Sequence, residues 1–246
     1  MNLINNGTIP KKDKQKSFAN PFKYLVLIFF ITGSCLPVVA NDSLDLLKRW
    51  KELAAEGNAA AQNALGVRYY LGVGVPKSHK EAAKWYQLSA EQGDVDAQKN
   101  LGRLYDQGEG VAQDYQQAIK WYQFAVDQKN DEAQFYLGTI YQTGQGISQN
   151  FEKASTLYRL AAEQGYVPAQ IKLGKMYWDG KGVQQNFVEA YKWLSLAKKH
   201  VQPFDADKRV YEAIEDLDVL TKQLTSSQKE EGQRLALEWE QKNKKE

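Results

Sequence analysis

The pair Leu65-Gly66 returns as Leu101-Gly102, Leu137-Gly138 and Leu173-Gly174, each 36 residues after the last. Self-similarity at a fixed period of roughly 20 to 50 residues marks stacked supersecondary units, none of which can bury its apolar face without neighbours. The period is carried by far more than one pair. Eight columns, headed by Ala61, Gln62, Leu65, Gly66, Tyr69, Gly72, Gly74 and Ala82, hold the same residue at 36, 72 and 108 positions further on. In the second copy these and their neighbours read Ala97, Gln98, Leu101, Gly102, Tyr105, Gly108, Gly110, Ala118 and Trp121, which are the structural residues of the repeat.

Within a copy, Ala97, Leu101 and Tyr105 fall at i, i+4 and i+8, one stripe of a 3.6-residue helix, here helix A. Ala118, Trp121, Tyr122 and Ala125 repeat at i, i+3, i+4 and i+7 and define a second, helix B. The Gly-x-Gly between them supplies residues free to take positive φ where helix A stops. Asp114, Asn150, Asn186 and Ser78 are suited to cap helix B by accepting a backbone N–H bond. Gly66, Gly102, Gly138 and Gly174 lie inside helix A, where glycine costs about 1 kcal/mol relative to alanine, so close approach of another helix is expected there. Gly57, Gly93 and Gly165 end the preceding helices, and in the third copy Asn130 is the expected left-handed residue instead.

The fold class expected is therefore all-α, an α/α solenoid of about four helix-turn-helix repeats at 57–92, 93–128, 129–164 and 165–200. Residues 41–56 read as a lone helix B capping the first copy, with Trp50 in the column of Tyr86. Residues 201–246 read as capping helices with a basic tail. Pro203 breaks the chain before this cap. Val210, Ile214, Leu217 and Leu220 to Leu224 suggest one more helix. Ser227 with Glu230 forms a capping-box pattern that opens another, carrying Leu235 and Trp239.

The order of residues from Ala97 to Val111 and from Asp114 to Ala125 resembles the SEL-one-like repeat family, relatives of the tetratricopeptide repeat. All four copies share the resemblance, from about residue 57 to 200. It implies a right-handed superhelix of antiparallel helix pairs acting as an adaptor for proteins or peptides, frequently in secreted bacterial proteins, with no reaction attached. A cysteine-rich branch of the family is linked to penicillin binding and β-lactam hydrolysis. It carries cysteines in the column that here reads Gln62, Gln98, Gln134 and Gln170, so a cell-wall or β-lactam role is the alternative. An identical polar column in every copy fits a buried amide tying backbone groups together better than it fits recognition of an irregular partner.

The first 40 residues follow a different logic. Lys11, Lys12, Lys14, Lys16 and Lys23 precede the apolar run Tyr24 to Ile31, a secretory signal pattern, with cleavage expected after Ala40. The alternative is a lipoprotein anchored through Cys35, the one route to membrane contact. The apolar stretch is at most 17 residues and holds Gly33 and Pro37, against the roughly 20 a transmembrane helix needs. Periplasmic or secreted localisation follows. The segment holds five lysines and one aspartate, +4, so removing it from a chain of net +2 leaves −2. The electrostatic case for nucleic acid then disappears.

Catalytic patterns are missing. His79 stands in the column of Tyr115, Phe151 and Phe187, and His200 in the column of Gln92, Gln128 and Gln164. Neither has the company of a nucleophile or a metal ligand, and no phosphate loop or Gly-x-Ser-x-Gly occurs. The expectation is a non-catalytic binding scaffold without cofactor or metal, whose partner is a protein or peptide. Recognition is expected at the columns of helix A that vary between copies and lie three and four apart. They run Ala64, Asn100, Tyr136, Lys172; Val67, Arg103, Thr139, Lys175; and Tyr70, Asp106, Gln142, Trp178. Asn100, Arg103, Asp106, Tyr136, Thr139, Lys172, Lys175 and Trp178 are the candidate contacts, with arginine and the aromatics foremost.

Overall fold

Each repeat folds as two helices because its glycines fall where the chain must turn or where another side chain must come close. In the computed structural model, which describes residues 38–200 and 208–243, every described element is helical. The order is α1 (Val38–Ala55), α2 (Ala59–Leu71), α3 (His79–Ala90), α4 (Val95–Gln107), α5 (Tyr115–Asp127), α6 (Asp131–Thr143), α7 (Phe151–Glu163), α8 (Val167–Asp179), α9 (Phe187–His200), α10 (Lys208–Gln223) and α11 (Ser226–Asn243). Helices α2 to α9 are the four A/B pairs, and each pair packs on the next. The basic stretch, the apolar run, Cys35 and Pro203 lie outside the described residues.

The glycine inside helix A has its reason in the tyrosine of helix B. A Cβ at Gly102 would lie 2.8 Å from Cδ1 of Tyr122, and Gly66 and Gly138 face Tyr86 and Tyr158 in the same way. In the fourth copy Gly174 faces Leu194, the residue standing in that column. The three tyrosines are almost wholly buried and, with Leu65, Leu101, Leu137 and Leu173, make the central layer of the core. Removing the methyl thus lets a flat ring lie against the backbone of the partner helix, and ring burial outweighs the loss of helix propensity.

The turns repeat atom for atom. Gly72, Gly108, Gly144 and Gly180 end helix A in the left-handed conformation at φ between 68° and 76°. The amide of Asp114 then bonds Tyr105 O at 2.9 Å, as Ser78, Asn150 and Asn186 bond Tyr69, Tyr141 and Tyr177. The side chains of these four residues accept from the first amides of helix B, as their types led one to expect. Three helix-A caps were not read from the sequence: Asn58, Asp94 and Asn130 accept from Ala61, Ala97 and Ala133.

Two expectations are corrected. In the third copy the left-handed residue is Lys129 at φ 64°, not Asn130, which is extended at φ −69°. The column explains it, since Lys129 follows Gly57 and Gly93 by the repeat period and Asn130 is taken up as an N-cap. The capping box of α11 is Thr225 with Gln228, not Ser227 with Glu230. Gln228 N donates to Thr225 Oγ1 at 3.2 Å, and Thr225 N donates to Gln228 Oε1 at 2.9 Å.

The glutamine column is a set of buried clamps. Gln98 Nε2 donates to Ala90 O of the previous copy at 3.2 Å, and its Oε1 accepts from Gln128 Nε2 at 2.9 Å. Gln62 and Gln134 accept likewise from Gln92 and Gln164. In the last copy His200 replaces the second glutamine, and Gln170 Oε1 is buried with no hydrogen-bond partner among the described residues.

At the ends, α1 covers the first copy by setting Leu47 and Ala54 against Ala61 and Leu65. It starts at Val38, before the expected boundary at 41. Leu217 and Leu220 of α10, with Leu224 just after it, are buried against Ile171, Ala190, Leu194 and Ala197, while α11 packs along α9.

Candidate partner-binding face

The variable columns of α4 and α6 meet an aromatic row supplied by the preceding copy and by helix B. The Arg103 guanidinium carbon lies 4.7 Å from the centre of the Tyr70 ring. Tyr70 in turn stacks on His79 at 4.7 Å with an interplanar angle of 13°, and His79 Nδ1 lies 3.6 Å from Glu109. Tyr136 stacks on Tyr122 at 5.6 Å, and its ring also meets Phe135 edge-on. Thr139 Oγ1 donates to Phe135 O and lies 3.1 Å from Tyr158 OH, which donates to Gln142 Oε1 at 2.9 Å.

Several polar groups in this row are left over. Arg103 Nε and Tyr122 OH are buried and make no hydrogen bond among the described residues. Asp106 is half-buried, and desolvation raises its carboxyl above the ordinary value. Among the described residues it has no ion-pair partner. Burial likewise pushes the phenols of Tyr86 and Tyr122 well above the usual range, with the nearby Arg103 charge opposing the shift. Tyr158, partly relieved by Thr139, is pushed up to about 12. A buried polar atom without a partner costs on the order of 1–3 kcal/mol, and among the described residues His79 Nε2 and Glu109 Oε2 join Arg103 Nε and Tyr122 OH beside the desolvated carboxyl.

The eight candidate residues do not form one surface. Arg103, Asp106, Tyr136 and Thr139 are brought together on α4 and α6. Asn100, expected on the open side, is buried at 8%, whereas Ala64, Tyr136 and Lys172 of the same column are half-buried. In the fourth copy the face is occupied from within. Lys175 Nζ forms an ion pair with Asp216 Oδ2 of α10 at 2.6 Å. Trp178 packs against the cluster of Leu217, Leu220 and Leu224. Lys172 is half-buried on the same helix. In the sequence the phenols of Tyr86 and Tyr122 are marked only by their helix-B columns. The interior glycines opposite them were the signal, since a ring laid on Gly102 carries its hydroxyl out toward the helix-A residue one turn on, Asp106.

Chemically the face offers donors, an acceptor and flat apolar rings, the means of holding an extended or helical peptide. It holds no nucleophile paired with a base. Among the described residues no three His, Cys, Asp or Glu side chains are grouped as a metal site, and no helix is long and apolar enough to cross a membrane.

The stacked helix pairs define an α/α solenoid. The chain belongs to the Sel1 repeat family, whose model matches residues 59–94, 95–130, 131–166 and 167–200. Among solved structures it is similar to a Sel1 repeat protein from Oxalobacter formigenes, at 30% identity and a TM-score of 0.65 over 79% of this chain and 78% of that one. It also matches c5321, a protective antigen with an SLR fold present in uropathogenic Escherichia coli strains, at 28% identity and a TM-score of 0.49. That match covers 78% of this chain but 48% of the antigen. No curated protein matches the chain. Sel1 repeat proteins are generally protein-interaction scaffolds.

Proposed function

We infer that the chain is an exported adaptor that binds a protein or peptide along the helix-A face of its first three copies. The observation that carries this reading is the pairing of Arg103, whose Nε finds no hydrogen-bond partner among the described residues, with the desolvated Asp106 carboxyl, beside the rings of Tyr70 and Tyr136. A face that serves only stability would satisfy or exclude such groups, whereas a partner that supplies an acceptor to Arg103 and a donor to Asp106 recovers their desolvation cost. Export rests on the lysine-rich start followed by the apolar run Tyr24 to Ile31.

The test is in-cell crosslinking of the tagged full chain with mass spectrometry of periplasmic and membrane fractions, comparing wild type with Arg103→Glu and Asp106→Lys. Loss of a crosslinked protein from both variants, with melting temperatures held, is the expected result. An unchanged set of crosslinked proteins in well-folded variants would overturn the choice of face. Sequencing the N-terminus of the purified protein checks export separately: Asn41 at the start indicates cleavage after Ala40, and a blocked, acylated Cys35 indicates a lipoprotein.

A further inference from the structure

The first three copies leave open what α11 covers in the fourth. Leu88, Phe124 and Leu160 occupy one column of α3, α5 and α7, and each is 43–46% exposed. The next member of that column is Leu196 on α9, which is 1% exposed. Helix α11 makes the difference. Leu196 and Trp193 belong to a cluster on which Ala236 and Trp239 pack, and the Trp239 ring meets Trp193 edge-on at 6.3 Å and His200 at 5.9 Å. An ion pair fixes the register, Lys199 Nζ to Glu240 at 2.6 Å.

The charges on this column invert where the cover ends. Lys199 stands three residues after Leu196. In the same place after Leu88, Phe124 and Leu160 stand Glu91, Asp127 and Glu163, all exposed. A cleft of about 690 Å³ opens beside Leu160, bordered by Arg159, Tyr177 and two further carboxylates, Glu152 and Glu189. We propose that the Leu88, Phe124, Leu160 column is a second docking surface, and that its occupant is an amphipathic helix of a partner protein carrying an aromatic anchor followed by Lys or Arg. The apolar contact continues the interface α11 makes with α9, and the basic residue takes the place of Glu240. A second copy of this chain is the wrong occupant, because its own Glu240 would face Glu163, Asp127 or Glu91. This surface lies on the B helices and does not rest on the reading of the helix-A face.

The probe is the 18-residue peptide of α11, Ser226–Asn243, made once with its own sequence and once with Glu240→Lys, and titrated by fluorescence anisotropy onto the full chain. The Glu240→Lys peptide binds about tenfold tighter than the native one, a difference that one well-placed charge pair supplies. Leu160→Asp in the protein abolishes that binding while leaving the circular dichroism unchanged. Asp127→Lys/Glu163→Lys, which alters exposed charges alone and leaves the fold intact, reverses the preference so that the native peptide binds tighter. Equal binding of the two peptides, no binding of either up to millimolar concentration, or indifference to the charge reversal would each overturn the proposal.

Discussion

At position 102 a methyl group would lie 2.8 Å from the Tyr122 ring, too close for the ring to stay where it is. Alanine is the better helix former by about 1 kcal/mol, yet overpacking a filled core costs about 1–3 kcal/mol. Gly102→Ala should therefore lower the melting temperature, and a thermal scan showing a rise would remove the steric account of the glycine column. Asp106 gives a second residue-level prediction, with a sign set by its raised carboxyl. A carboxyl whose folded value lies above its unfolded one destabilises the fold in its charged form. The penalty is complete above the raised value and gone below the ordinary 3.8. Asp106→Asn should thus raise the melting temperature at pH 7, and the gain should shrink as the pH falls toward 4. An equal gain at both pH values would mean that titration is not its source. Much at this scale was legible in the sequence, because capping and turn chemistry act within four residues. Ser78, Asp114, Asn150 and Asn186 could be placed by type and spacing alone. The leftover hydroxyl of Tyr122 could not, since whether it finds a partner depends on which side chains two other helices bring near.

Between elements, the third copy differs from its neighbours at one backbone angle. Lys129 sits at φ 64° where Gly57, Gly93 and Gly165 sit near 90°. A side chain in the left-handed region costs roughly 1–2 kcal/mol, so Lys129→Gly should stabilise the protein by about 1 kcal/mol, read as a shift of the urea midpoint with unchanged slope. A lower midpoint would show that the lysine earns its place by a contact. The reason the sequence pointed to Asn130 instead is physical: asparagine tolerates both the left-handed conformation and the N-cap, and only the repeat register decides which it takes. The same limit applies to α10. Its helical period was visible, but that Asp216 reaches Lys175 and that Leu217 and Leu220 take up Trp178 was not. A non-repeating segment has no earlier copy from which its docking can be read.

For the molecule as a whole, stability is a sum of copies and the seams between them. Helix α11 closes the last seam, so truncation after Leu224 exposes Trp193 and Leu196. Each of these loses burial worth about 1.5–3 kcal/mol. Amide exchange should then accelerate in α9 and α8 while α3 and α4 keep their protection. Uniform loss along the chain would show instead that the array unfolds as a single unit. The division into four copies with covered ends was plain from the period, because a repeat that cannot bury its own face demands a neighbour or a cap. Which face of α9 the cap would choose was hidden, since Leu196 reads the same as Leu88 and Leu160 until α11 is laid on it.

Gln170 ends its column with a carbonyl oxygen that no second glutamine reaches, because His200 has turned toward Trp239 and Glu240. The first three copies each carry both halves of their clamp and are interchangeable in this respect. The fourth is written as a terminus. A gene duplication that lengthens this protein can therefore be accommodated anywhere upstream of copy four, where the inserted unit arrives complete. A unit added after His200 would have to displace α10 and α11, which already cover α9, so the interior takes a new copy more readily than the end does.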